Sequence, residues 1–199
     1  MVVLGDSVSA GYGLAQNSGW VTLLQEKIRV AKLPHVVINA SISGDTTLNG
    51  LQRLPRVLAE HHPAVLIVEL GGNDGLRGLS LPQLRENLAS IVRQAQSSGA
   101  QVLLLAMQLP RNFGAAYNTA FEQTYNAIAQ QFNTALVPAL FNGFAADVTA
   151  FQSDGIHPSA DSQAKMLENV WPALQPLLAA TTGAANEKVP TTPSKTEVR

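Results

Sequence analysis

The 199-residue sequence contains no cysteine, and this absence excludes several kinds of site. A chain without thiols can form no disulfide, no thiolate metal site and no cysteine nucleophile. Clustered basic residues are missing too: the formal net charge is −1 with no basic stripe, which gives nucleic-acid binding little support. No apolar run approaches the roughly 18–20 residues that would span a bilayer, so we predict no stable membrane anchor.

The amino terminus also lacks a targeting signal, because Met1 leads straight into a strand-like run. We therefore expect either a cytoplasmic protein or a chain from which a native leader has been removed. At the other end, bulky apolar residues become scarce from Thr181 onward, where Pro, Thr, Lys and Glu are interspersed. This composition predicts one folded domain over residues 1–180 and a disordered tail, 181–199, that need not be native.

The composition, 46% hydrophobic and 14% charged, is typical of a soluble globular domain. Along the sequence, short apolar runs alternate with segments of helical periodicity. The strand-like runs are Val2–Leu4, His35–Asn39, Ala64–Leu70, Gln101–Ala106 and Ala135–Val137. Between them, apolar residues spaced three and four apart predict helices that cover a sheet with one face. We predict an α/β fold: a single three-layer α/β/α domain with a five-stranded parallel sheet. The last helix is expected to begin at Pro158–Ser159, to run toward Ala180, and to be kinked or split by its two prolines.

In such sheets the site lies beyond the carboxyl ends of the strands, and the first loop there is Gly5-Asp6-Ser7-Val8-Ser9. It can be an ordinary strand-to-helix turn in which Asp6 or Ser7 caps a helix. It can also carry a nucleophilic serine where a helix amino terminus directs backbone N–H groups at the site. Gly5 is expected to permit the sharp exit from the strand.

Two further loops offer hydrogen-bond donors. In Ser43-Gly44-Asp45-Thr46, Gly44 either allows a positive φ or lets its N–H approach a ligand as an oxyanion donor. In Gly71-Gly72-Asn73-Asp74, Asn73 is either a turn residue or a donor whose amide offers a proton without titrating.

The fourth loop, Asp154-Gly155-Ile156-His157-Pro158, places an acid and a histidine three residues apart. The carboxylate can hold Nδ1–H of the imidazole, which leaves Nε2 free to take a proton from a hydroxyl. The alternative is a capping Asp154 and an exposed His157. Each loop alone is a weak signal, but together they supply what a serine acyl hydrolase requires.

These four blocks and their flanks resemble those of the SGNH subgroup of GDSL esterases and lipases, most of all its bacterial thioesterase and arylesterase branch. The similarity covers about residues 2–179. It implies that Ser7, Asp154 and His157 form a catalytic triad, and that the N–H groups of Ser7 and Gly44 and the Asn73 amide form the oxyanion hole. Such chemistry needs no metal and no organic cofactor.

The choice between the two serines can be argued from the residues. Ser7-Val8-Ser9-Ala10-Gly11 nearly matches the G-x-S-x-G nucleophile elbow, which would favour Ser9. That elbow follows several strands, however, whereas here no strand precedes the first, and Ser7 lies closer to the strand end. We predict that Ser7 is the nucleophile and that Ser9 caps or packs. Glu69, in the central strand, is expected to be buried and to hold the loop.

The expected substrates are small acyl esters or thioesters with an apolar acyl chain. Apolar residues of the later loops would form the acyl pocket, namely Leu76, Leu79, Leu109, Pro110, Phe113 and Ile156. The resemblance implies activity on acyl thioesters, aryl esters and lysophospholipids, and a periplasmic or secreted location. We also expect a monomer. The rival hypotheses are a carbohydrate acetyl esterase of the same fold, a non-catalytic binding module and a metal-dependent hydrolase, for which the sequence offers no ligand cluster.

Overall fold

The computed structural model describes residues 1–186, apart from the side chains of residue 111 and of residues 182–186. The strands are β1 (Val2–Gly5), β2 (Ile38–Asn39), β3 (Val65–Glu69), β4 (Gln101–Leu105) and β5 (Ala135–Val137). The helices are α1 (Ser7–Ala10), α2 (Trp20–Val30), α3 (Thr47–His61), α4 (Gly72–Leu76), α5 (Leu81–Ser97), α6 (Ala115–Phe132) and α7 (Gln163–Asn186).

The five strands form one parallel sheet in the order β2-β1-β3-β4-β5. The chain runs outward from β1 to β2 and then returns to β3 on the other side of β1, so the strand order reverses between β1 and β3. A crevice opens at such a reversal, beyond the carboxyl ends of the strands. Gly5, the last residue of β1, pairs with Glu69, the last residue of β3, so the loops after both strands begin side by side. The predicted fold is confirmed.

Helices cover both faces of the sheet. Helices α2 and α7 contact each other on one face, and α5 contacts both α3 and α6 on the other. Strand β3 is buried along its whole length, as a strand with helices on both faces must be. In α2 the residues Trp20, Leu24 and Ile28, spaced by four, are fully buried, and this face attaches the helix to the sheet.

Helix α7 differs from the prediction in both its start and its end. It follows a 3₁₀ turn at Ala160–Ser162, contains both prolines without being split, and continues through Asn186. Leu174 and Leu178 are buried, and this packing supports the helix across the prolines. The predicted boundary at residue 180 therefore falls inside α7, and residues 187–199 of the predicted tail lie outside the described residues. Within residues 1–186, no helix combines the length and apolar character needed to cross a membrane.

Candidate active site

Ser7 is the first residue of α1 and lies directly beyond the end of β1. Asp6 is the N-cap of this helix, and its carboxylate accepts a hydrogen bond from Val8 N–H at 3.0 Å. After one turn the chain leaves the helix at Gly11, whose φ of 77° is in the left-handed region that favours glycine. This short, tightly capped turn presents a half-buried Ser7 to the crevice.

Ser7, His157 and Asp154 are joined by hydrogen bonds although 150 residues separate the first two. His157 Nε2 lies 2.8 Å from Ser7 Oγ, and Nδ1 lies 2.6 Å from Asp154 Oδ2. The other carboxylate oxygen of Asp154 accepts the backbone N–H groups of Ile156 and His157 at 2.9 and 3.0 Å. Partial burial pushes the pKa of Asp154 upward, but the bonds from the His157 ring and the two N–H groups outweigh it. Its pKa therefore lies below the usual value, so the carboxylate stays ionised at neutral pH.

Gly44 and Asn73 also line the crevice. Gly44 has a φ of 86°, and its carbonyl accepts a hydrogen bond from Arg77 at 3.0 Å. Asn73 lies in the first turn of α4, and its Nδ2 donates to Asp6 Oδ2 at 3.1 Å and to the Asp45 carbonyl at 3.0 Å. The Asn73 amide thus links the loop after β1 to the loop after β2.

Arg53, on α3, has a structural role near the site that the sequence did not indicate. Its guanidinium forms an ion pair with Asp45 at 2.7 Å and also donates to the carbonyls of Ala40 and Gly5. It therefore ties the end of β1 to the loop that carries Gly44. A single arginine in a helix has no sequence signal that would reveal this role.

Behind Ser7 lies the buried carboxyl group of Glu69. One of its oxygens, Oε2, accepts three hydrogen bonds: from Asp6 N–H at 3.3 Å, from Ser9 N–H at 3.2 Å and from Ser9 Oγ at 2.6 Å. Ser9 Oγ also accepts a bond from Trp20 Nε1. These contacts confirm that Ser9 is a packing residue and that Glu69 holds the loop.

Gly5 serves a different purpose from the one predicted. It is the paired final residue of β1, and it has no positive φ. A Cβ at this position would lie 2.7 Å from Glu69 Oε2 and 2.8 Å from Ser41 Oγ. Glycine is needed here because the Glu69 carboxyl group occupies the space of a side chain.

The carboxyl groups of Asp6 and Glu69 are both almost fully buried, and burial dominates their protonation. Burial raises the pKa of Asp6 to about 6, against the opposing effect of the bonds from Val8 and Asn73. Burial and the neighbouring Asp6 raise the pKa of Glu69 well above its usual value. Glu69 therefore holds a proton in the folded protein at pH values where an exposed glutamate has lost it.

We expect this retained proton to make stability fall as the pH rises. Above a pH of about 4.5 the unfolded chain has released the Glu69 proton while the folded chain keeps it, so each pH unit costs up to about 1.4 kcal/mol until the raised pKa is passed. In Glu69→Gln, the amide oxygen can accept the same bonds without titrating, so its stability should decline less steeply. Urea unfolding at pH 5, 6, 7 and 8 measures both slopes.

Glu86→Gln, the same substitution at an exposed position of α5, is the control for this comparison and should follow the wild-type slope. Parallel slopes for wild type and Glu69→Gln would show that Glu69 carries no extra proton.

A cavity of about 690 Å³ opens beside Ser7. Four of the six predicted pocket residues line it: Leu76, Leu109, Pro110 and Ile156. The other two do not line it, and this corrects the prediction. Leu79 is 44% exposed, and the Phe113 ring stacks on Tyr117 at 6.4 Å between ring centroids. Both residues lie in loops that follow the expected strands, but these loops direct the two side chains away from the cavity.

Several lining residues were missed by the sequence analysis. They are Val8, Tyr12, Met107, Phe141, Val148 and Phe151. Phe141 and Phe151 pack edge to face at 5.7 Å, and both contact Phe144, which forms an aromatic cluster after β5. The recurrence of phenylalanine between β5 and Asp154 is the signal that could have indicated an apolar wall.

Comparison with known proteins shows that this chain is similar to acyl hydrolases. Residues 3–165 match the model of the GDSL-like lipase/acylhydrolase family. The chain is 51% identical over 178 residues to Esterase TesA of Pseudomonas aeruginosa, and the aligned region covers 89% of each chain. It is 40% identical over 178 residues to thioesterase 1/protease 1/lysophospholipase L1 of Escherichia coli, and the aligned region covers 89% of this chain and 84% of the relative. The structure of the psychrotrophic esterase EstA from Pseudoalteromonas sp., inhibited by monoethylphosphonate, superposes with a TM-score of 0.83 at 34% identity. That match covers 89% of this chain and 97% of EstA.

Proposed function

This chain belongs to the GDSL-like lipase/acylhydrolase family and is a hydrolase of carboxylic esters, and we propose that it acts through an acyl-enzyme formed on Ser7. The observation that carries the proposal is the continuous chain of hydrogen bonds from Asp154 through the His157 ring to Ser7 Oγ. A nucleophile, a base and a group that orients the base are thus in contact.

In the first half-reaction His157 Nε2 takes the proton of Ser7 Oγ as that oxygen attacks the acyl carbonyl carbon. Asp154 holds Nδ1–H and stabilises the imidazolium that forms. The tetrahedral intermediate then collapses: the bond from carbon to the leaving oxygen or sulfur breaks, and His157 delivers the proton to the leaving group. Water then gives a proton to His157 Nε2 as its oxygen attacks the acyl carbonyl carbon. The bond from that carbon to Ser7 Oγ breaks as His157 returns the proton to Ser7, and the acid is released.

The oxyanion is assigned three donors: the N–H groups of Ser7 and Gly44 and the amide of Asn73. Ser7 N–H belongs to the first residue of a helix and has no acceptor within that helix. Gly44 lacks a side chain that would block close approach to its backbone. Asn73 Nδ2 carries two protons, both now bonded to Asp6 and Asp45, so its bond to the oxyanion must share or replace one of them.

The acyl chain is assigned to the cavity beside Ser7. Met107, Leu109 and Phe141 are buried apolar residues of its lining, and Phe151 is partly buried. A volume of 690 Å³ is ample for a medium-length chain. The relative named thioesterase 1/protease 1/lysophospholipase L1 extends the proposed substrates to thioesters and lysophospholipids, and the family resemblance extends them to aryl esters. All groups of the site come from one chain, so a monomer suffices, and the family resemblance favours a periplasmic or secreted location.

A chain-length series tests this assignment. We expect kcat/KM for p-nitrophenyl esters to rise by at least about tenfold from acetyl to octanoyl, since each buried methylene contributes about 0.8 kcal/mol. Phe141→Trp, which fills the cavity, should reduce this rise. A preference for acetyl esters in the wild-type protein would instead support the carbohydrate acetyl esterase hypothesis.

A further inference from the structure

Tyr12 lies at the rim of the cavity, against the catalytic histidine. Its ring centroid is 4.7 Å from that of His157, with an angle of 40° between the ring planes. The residue is nevertheless 55% exposed while lining the cavity. The aromatic ring thus contacts the base and still presents a large surface to whatever enters beside it.

This position is fixed by the backbone. Tyr12 N–H donates to the Ser7 carbonyl at 3.0 Å, and the Tyr12 carbonyl accepts from Gln152 Nε2 at 2.8 Å. Gln152 in turn donates its own N–H to the His157 carbonyl at 2.7 Å. A Cβ at Gly13 would collide with the Gln152 amide, so a glycine is required for this approach. Gln152 therefore joins the Tyr12 turn to the His157 loop.

The proposed reaction determines which part of the substrate meets this ring. His157 Nε2 must lie within hydrogen-bond distance of the leaving oxygen or sulfur in order to protonate it. A group attached to that atom consequently lies beside the imidazole and within reach of the Tyr12 ring. Val148 and Ile156, 84% and 38% exposed, add apolar surface to the same cavity.

We infer that Tyr12 is a specificity-determining residue that contacts the leaving group and favours aromatic over aliphatic alcohols. Offset or edge-to-face contacts between aromatic rings stabilise an aryl leaving group by more than the burial of its apolar area alone. An alkyl leaving group gains only the contribution of the buried area. The inference rests on the proposed function, because it is His157 acting as the acid that places the leaving group there.

The test compares phenyl and ethyl butyrate, which share one acyl group, in a pH-stat assay of kcat/KM. Tyr12→Ala should lose about 3- to 10-fold on the phenyl ester and less than about 2-fold on the ethyl ester. Tyr12→Phe should keep both values within about 2-fold of wild type. Both esters yield the same butyryl-enzyme, so kcat/KM isolates the acylation step that the leaving group affects.

Tyr117→Ala, which truncates a tyrosine that does not line the cavity, is the matched control and should leave the phenyl-to-ethyl ratio unchanged. An equal loss on both esters in Tyr12→Ala would overturn the inference, because Tyr12 would then only position His157. An unchanged or increased ratio would overturn it as well. Ester hydrolysis that stayed near the wild-type rate in Ser7→Ala would instead refute the proposed function itself.

Discussion

Replacing Ser7 with alanine is expected to abolish acyl-enzyme formation and to lower kcat by at least about 10⁴-fold. The variant keeps His157, Asp154 and the oxyanion donors, so a small residual rate over uncatalysed hydrolysis should remain. Incubation with a phosphonate ester followed by intact-mass measurement should show one adduct on the wild-type protein and none on Ser7→Ala. Circular dichroism checks that the variant is folded.

Ser9→Ala separates the two serines. Ser9 Oγ is buried between Glu69 and Trp20, so this variant should lose stability but still form the adduct. Peptide mapping should place that adduct on Ser7. An adduct that persisted in Ser7→Ala, or that disappeared only in Ser9→Ala, would contradict the assignment of the nucleophile.

Asn73→Ala is expected to reduce kcat by about 10²- to 10³-fold with a smaller change in KM. An oxyanion donor is strongest in the transition state, where negative charge has developed, so its loss appears in the rate rather than in ground-state binding. Steady-state kinetics on one ester measures both parameters.

Asn73→Ala also removes the hydrogen bonds of Asn73 to Asp6 and Asp45. A control must therefore separate the loss of an oxyanion donor from a loosening of the loops. Asn87, a buried amide on α5 that bonds Thr47 Oγ1 at 3.0 Å, supplies it. Asn87→Ala should be destabilised while kcat stays within a few-fold of wild type. Near-normal kcat in Asn73→Ala would mean that Asn73 only shapes its turn, whereas equal losses in both variants would point to a general effect of removing buried amides.

The fold and the chemical groups of the site were accessible from sequence because both leave local patterns. Apolar runs such as Val65–Val68 of β3 alternate with helical periodicity, and this alternation leaves few arrangements other than a parallel sheet covered on both faces. Since the strands of such a sheet end at one edge, the loops that carry Ser7, Asn73 and His157 had to lie near one another.

What the local pattern could not determine was where individual side chains point. Leu79 and Phe113 follow the correct strands yet turn away from the cavity, while Phe141 and Phe151 enter it from a loop that carries no motif. These directions depend on the packing of the loops against one another, which no short stretch of sequence encodes.

The sequence by itself identified Gly5-Asp6-Ser7 as the exit of a strand, at the edge of the sheet where the loops of Gly44, Asn73 and His157 were expected to converge. Only the tertiary structure explains why Gly5 and Asp6 occupy their positions. Gly5 is required because the Glu69 carboxyl group, 64 positions along the chain by their residue numbers, occupies the space of its side chain. Asp6 is held between a helix N-terminus and the Asn73 amide. These are contacts between distant segments, and only the packed sheet brings them together.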